Sequence, residues 1–252
     1  MEIASTEHQT PVILNPDAED RDSQETFRRN AKGEDPILSP GDVARAIPGA
    51  DTGGVARPVP VGGQREVAEY ERNSVAASGI LPRKVFPKPA EIDAQGTEHV
   101  VRFLGSHVET FQKRDAWVPL ITPAGLLGIG QSVPSEYLRR LQLQNDLFGD
   151  DIRITALTRA NRFVISQPTV RGGEPGENEI RDVLQNNGWK RVPVALQDLP
   201  IQLMGSAWWH DEEGLVMLDA RKPNFRKTDS GVLPIDLILA DLSDEMRTMF
   251  EQ

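Results

Sequence analysis

The chain has 252 residues, 38% of them hydrophobic, no cysteine and a formal net charge of −10. The missing cysteines exclude disulfides, thiolate metal sites and a cysteine nucleophile, and His8, His99, His107 and His210 are scattered without zinc-ligand spacing. The negative charge argues against general nucleic-acid binding, no apolar run is long enough to span a bilayer, and MEIASTEHQT lacks the start of a signal peptide, so a cytoplasmic setting is expected.

Residues 1–65 are rich in Asp, Glu, Gly, Pro and Ser and hold one aromatic, Phe27. Such a segment buries too little apolar surface to offset its ordering entropy, so it reads as a disordered tail with at most a short helix in SPGDVARAI, capped by Ser39. The folded body, residues 66–252, opens with a helix in REVAEYERNSVAASG that stops at Gly79, followed by the Pro-punctuated connector ILPRKVFPKP. EHVVRFLG and SHVETFQK read as two strands around a turn at Gly105 and Ser106. After TPAGLLGIGQSVP, which reads as a loop, SEYLRRLQLQNDLFGDD is a helix with Tyr137, Leu138, Leu141, Leu147 and Phe148 on one stripe and Gly149 as its stop.

DIRITALT and RFVISQPTV follow as strands joined by the turn RANR, and Gly172 and Gly173 release the chain into a second helix, ENEIRDVLQNNG. AWWHDEEGLVML reads as a hairpin turning at residues 211–214 and NFRKTDSGVLPIDL as another turning at TDSG, before a terminal helix, DEMRTMFE, capped by Ser243. The order is strand, strand, helix, strand, strand, glycine-bearing connector, helix, hairpin, loop, hairpin: an α+β chain.

Between those last two hairpins the chain reads LDARKPNF, and twelve positions after Asn224 an isolated Asp236 interrupts the apolar run VLPIDLIL. A carboxylate in such surroundings needs a hydrogen-bonded partner or a metal to offset its desolvation. The basic run RKPNFRK, residues 221–227, reads either as a solvated loop or as a phosphate-facing patch.

An Asp-to-Asn step of five residues with an intervening basic residue, then a hairpin, then an Asp closing its second strand, resembles the active-site layout of the protein-kinase-like superfamily. The blocks GTEHVV, PSEYLRRLQLQNDLFGDDIR, VISQPTVRGGEP and GLVMLDARKPNF with GVLPIDL narrow that resemblance. They look like the serine/threonine/tyrosine kinase-like domain of polyvalent proteins from phages, conjugative elements and uncharacterised bacterial proteins, over roughly residues 65–242. The resemblance implies a minimal two-lobed fold. A small antiparallel sheet with one helix forms an N-lobe at about 90–167, and a reduced C-lobe covers about 168–252. It also implies ATP and magnesium as cofactors and a protein or small-molecule hydroxyl as acceptor.

In that chemistry catalysis is mostly positioning and charge neutralisation. Carried over, Asp219 is the base that orients the acceptor hydroxyl, and Asn224 and Asp236 are the magnesium ligands. Lys113, Glu136, Gln167 and the intervening Arg221 lie on the nucleotide side. Glu136 takes the place of the helix Glu that pairs with the phosphate-binding Lys, and residues 166–170, SQPTV, the place of the hinge. Thr110 stands where the family has that Lys, with Lys113 three residues later, and the glycine-rich loop is reduced to Gly96 and Gly105. A catalytically inactive kinase-like binding module is the alternative reading.

Overall fold

The computed structural model describes residues 37–48 and 61–252. It is a mixed α+β structure in which every pairing between named strands is antiparallel. The first sheet has the order β1-β2-β3-β7-β6, built from β1 (Ala94–Gln95), β2 (His99–Phe103), β3 (His107–Gln112), β6 (Arg153–Leu157) and β7 (Phe163–Pro168). Its β2–β3 turn is made at Gly105, whose φ of 77° suits glycine.

Helix α3 (Pro134–Phe148) covers one face of this sheet, and Gly149 ends it in the left-handed conformation, φ 68°. Tyr137, Leu138 and Leu141 pack there on Ile154, Phe163 and Ile165. The opposite face buries Val100, Phe111, Ala156 and Val164 beneath the connector residue Ile92. Leu143, Leu147 and Phe148, on the C-terminal half of α3, leave the first sheet for a second cluster around Trp189, Trp208 and Met217. The predicted single stripe is therefore shared between two cores.

The expectation of a tail reaching residue 65 needs correction. Residues 39–44 form a capped turn of helix, α1 (Pro40–Ala44), with the Ser39 hydroxyl accepting the Asp42 amide proton. Leu38, Val43, Ala44 and Ile47 are buried against α3 and the sheet, and Leu38 forms an antiparallel bridge with Ile154. Four apolar residues in ten suffice once α3 supplies the other half of the core. Helix α2 (Val61–Ser78) also begins before residue 65. The remainder of the predicted tail, residues 1–36 and 49–60, lies outside the described residues.

A second correction concerns residues 122–134, expected as a loop. Residues 127–131 form β5 (Leu127–Gln131), which pairs in a hairpin with β4 (Trp117–Ile121). Gly128 and Gly130 obscured it, yet they are what permits it. A Cβ on Gly128 would stand 2.4 Å from the Thr122 methyl, and one on Gly130 2.4 Å from a Leu120 methyl, so these side chains fold over bare backbone. Val118 and Leu127 of this hairpin join the core of the second sheet, against Val216 and Ile238.

That second sheet has the order β13-β10-β9-β8, from β8 (Lys190–Arg191), β9 (Trp208–His210), β10 (Leu215–Leu218) and β13 (Ile238–Asp241). Helix α4 (Glu177–Asn186) precedes it, and α5 (Asp244–Phe250), capped by Ser243, closes the chain. Between β10 and β13 the chain makes the small hairpin β11 (Phe225–Thr228) and β12 (Gly231–Pro234). No helix among the described residues is long and apolar enough to cross a membrane.

Candidate functional site

All four residues of β10 are buried, so the strand delivers its last backbone group to the edge of the core with little freedom. Asp219 then turns the chain with φ 63°, a conformation that Asp tolerates better than most residues. The Arg221 amide donates to the Asp219 carbonyl at 2.8 Å, and the Arg221 guanidinium pairs with the Asp219 carboxylate. A single 3-10 turn, Lys222–Asn224, brings the Asn224 side chain back, and its Nδ2 donates to the Asp219 carbonyl at 2.8 Å. With the amide nitrogen so engaged, Oδ1 of Asn224 remains as an acceptor on the other side of the group.

The β11–β12 hairpin then returns the chain to its own start. The Ile235 amide donates to the Asn224 carbonyl at 2.8 Å, which seats Asp236 next in sequence to that contact. Asp219, Asn224 and Asp236, separated by up to seventeen positions, thus belong to one loop cluster linked by two backbone-anchored hydrogen bonds.

Asp236 is exposed over 55% of its side chain rather than buried, and its partner is Arg140 of α3, Nη2 to Oδ1 2.8 Å. Arg140 itself is 4% exposed. Its Nε donates to the Leu237 carbonyl at 2.7 Å, and Nη1 donates to both carboxylate oxygens of buried Glu98 at 3.2 and 2.9 Å. Glu98 accepts in addition the Trp117 amide at 2.8 Å. Burial works against the charge on Arg140, but Glu98 and Asp236 outweigh it and hold its pKa above the ordinary value. Beside them His99 shares a 2.9 Å hydrogen bond with the Tyr137 hydroxyl. Burial lowers the His99 pKa, opposed in part by the Asp236 and Glu98 charges, and burial raises that of Tyr137.

The residues expected on the nucleotide side are more dispersed. Lys113 lies just past β3, with Nζ donating to the Gly96 carbonyl at 2.6 Å, near enough to His99 to act on its charge. Thr110 stands directly opposite Ile165 and Val101, which places it on the face that α3 covers. Glu136 accepts the Val133 amide proton at 2.8 Å and so caps its own helix. Its pKa is raised by burial, with the neighbouring Glu71 adding to the effect. No ion pair joins Glu136 to Lys113 among the described residues, and the acid–base pair of this interface is Glu98 with Arg140, one helical turn on. Gln167 sits near the end of β7, opposite Val108 on β3.

The sequence reading gave Arg140 no role. The signal that finds it is its spacing: Arg140 follows Tyr137 by three and precedes Gln144 by four, and all three are buried on one helical stripe. A charge on an apolar stripe announces a buried partner as clearly as Asp236 does.

No group of three or more His, Asp or Glu side chains among the described residues could hold a metal. A hard cation would find here one amide oxygen, Asn224 Oδ1, and the second oxygen of Asp236. Amide and carboxylate oxygens are the donor types that magnesium takes, with phosphate oxygens and water completing its shell. Comparison with known protein families, with curated proteins and with solved structures found no match.

Proposed function

We propose that this chain is a kinase-like phosphotransferase that uses ATP and magnesium to modify a hydroxyl acceptor. The observation that carries the reading is the hydrogen-bonded closure of residues 219–236. Strand β10, the loop, the β11–β12 hairpin and β13 carry an Asp, an Asn and a second Asp on the connection at one end of the second sheet. In this reading Asp219, whose carboxylate is paired with Arg221, orients and accepts the proton of the acceptor hydroxyl. Asn224 and Asp236 hold the cation, whose charge when bound offsets that of the phosphates. Arg140 is then the positioning residue for Asp236, and it places a fixed cation where Lys113 does not reach.

A second reading, an inactive kinase-like binding module, draws support from the same ion pair, because Arg140 already matches the Asp236 charge without a metal. Calorimetric titration of the full chain with a non-hydrolysable ATP analogue, with and without magnesium, separates the two. Magnesium-dependent binding is expected, weakened in Asp236→Asn but nearly unchanged in Asp219→Asn. Turnover of labelled ATP in Asp219→Asn should fall by about 10²–10⁴-fold. Absence of binding by the parent chain supports the inactive module, and identical behaviour of the two variants removes the assigned roles.

A further inference from the structure

A cleft of about 460 Å³ lies between α4, the turn at residues 204–206, Trp208 and residues 220–223. That volume is within the range of small-molecule sites. Its lining is cationic in an acidic protein: Arg181, Arg191, Arg221 and Lys222 against the carboxylates of Glu174 and Glu177. Three of those cations already have acidic partners. Lys222 is 3.6 Å from Glu177, Arg221 pairs with Asp219, and Arg181 lies 3.2 Å from its exposed neighbour Asp182.

Arg191 is different. It has no ion-pair partner among the described residues, yet it is held in place: Nε and Nη2 donate to the Gly205 carbonyl at 3.0 and 2.6 Å. Its guanidinium carbon stands 6.0 Å from the centre of the Trp208 ring, which is buried in the floor. Gly205 has φ +76°, and a Cβ there would come within 3.1 Å of Arg191 Nη2, so the turn keeps the space that the guanidinium occupies. An oriented, uncompensated guanidinium over an aromatic floor is suited to a planar or tetrahedral oxyanion.

We infer that this cleft binds a small molecule carrying a phosphate or carboxylate group. Resting on the reading above, that molecule is the acceptor, because the wall at residues 220–223 continues directly from Asp219. The test is a chemical-shift titration of the full, isotope-labelled chain with inorganic phosphate and, separately, with citrate, which distinguishes the two oxyanion sources. Saturable shifts at Gly205, Ser206, Trp208 and Ala220 are expected with at least one of them. Arg191→Gln should weaken that binding about tenfold, and Arg181→Gln, which disturbs only an exposed pair, should weaken it less.

No shifts with either anion, shifts centred on Gly96 and His99 instead, or full affinity in a folded Arg191→Gln chain would overturn the site. If Arg191→Gln does not fold, full affinity in Arg181→Gln together with Arg191→Lys has the same force. Anion binding by a chain that shows no magnesium-dependent binding of the ATP analogue removes the acceptor role and leaves the anion site standing.

Discussion

A guanidinium buried in a helix–sheet interface needs acceptors on every side, and Arg140 finds them in Glu98, Asp236 and the Leu237 carbonyl. Removing it strands Glu98, which is 7% exposed, without its countercharge. Arg140→Met should therefore cost about 3–5 kcal/mol in urea melts, and adding Glu98→Gln should recover part of that loss. A cost below about 1 kcal/mol would show the pair to be dispensable. Asp150 offers a test with pH. Burial raises its pKa to about 6, although Gln144 donates to it at 2.6 Å. Between the unfolded value and about 6, the folded chain holds a proton that the unfolded chain releases. The stabilisation is complete below the unfolded value and is lost as pH rises through about 6. Relative to Asp150→Asn, the parent chain should lose about 1–3 kcal/mol between roughly pH 4 and pH 7, measured as the difference between two melting series. At this scale spacing drew the sequence reading to Asp219, Asn224 and Asp236, and their expected roles came from the resemblance. The sequence hid Glu98, His99 and Arg140, because their significance lies in contacts across 42 and 96 positions.

Elements with a clean period or a capped end were legible: α3 with its Gly149 stop, α5 with Ser243, and the β9–β10 and β11–β12 hairpins. The β4–β5 hairpin was not, because its strands carry Gly128, Gly130 and Pro119, residues that argue locally for a loop. Short α1 was expected as a helix but not as part of the core, since its apolar partners come from α3 and β6. The connector before α4 allows a test at the element scale. Gly173 forms an antiparallel bridge with Lys227, and a Cβ on Gly172 would lie 2.3 Å from the Lys227 carbonyl oxygen, a backbone atom that cannot swing aside. A Cβ on Gly173 would meet nothing within 4 Å. Gly172→Ala should accordingly destabilise by about 1–3 kcal/mol while Gly173→Ala stays within about 1 kcal/mol, as read from denaturant midpoints. Equal effects at the two positions would mean that the close approach to β11 is not maintained.

Across the whole molecule α3 belongs to both halves. Its N-terminal turns complete the core of the first sheet, while its C-terminal turns enter the core around Trp189 and Trp208. Arg139 and Arg140, adjacent in sequence, reach Asp241 and Asp236 at the two ends of β13. The β4–β5 hairpin reinforces the link, since it leaves β3 of the first sheet and packs in the core of the second. A division into an N-lobe at 90–167 and a C-lobe beyond it therefore does not predict two independent folding units. All four tryptophans, at 117, 189, 208 and 209, lie in the hairpin or the second core, so fluorescence reports on that half and far-ultraviolet dichroism on both. The two signals should give one coincident urea transition. Separated midpoints would contradict a shared α3.

The docking of residues 37–48 has a further consequence for how the chain is made. The Gly41 amide is bonded to Gln142, 101 positions later, and Leu38 is paired with Ile154. At usual elongation rates the ribosome takes roughly 5–20 s to cover that distance. For that time Leu38, Val43 and Ile47 have left the exit tunnel with no surface to cover them. The first apolar segment described thus waits for partners made about a hundred positions later and docks only once α3 and β6 have emerged.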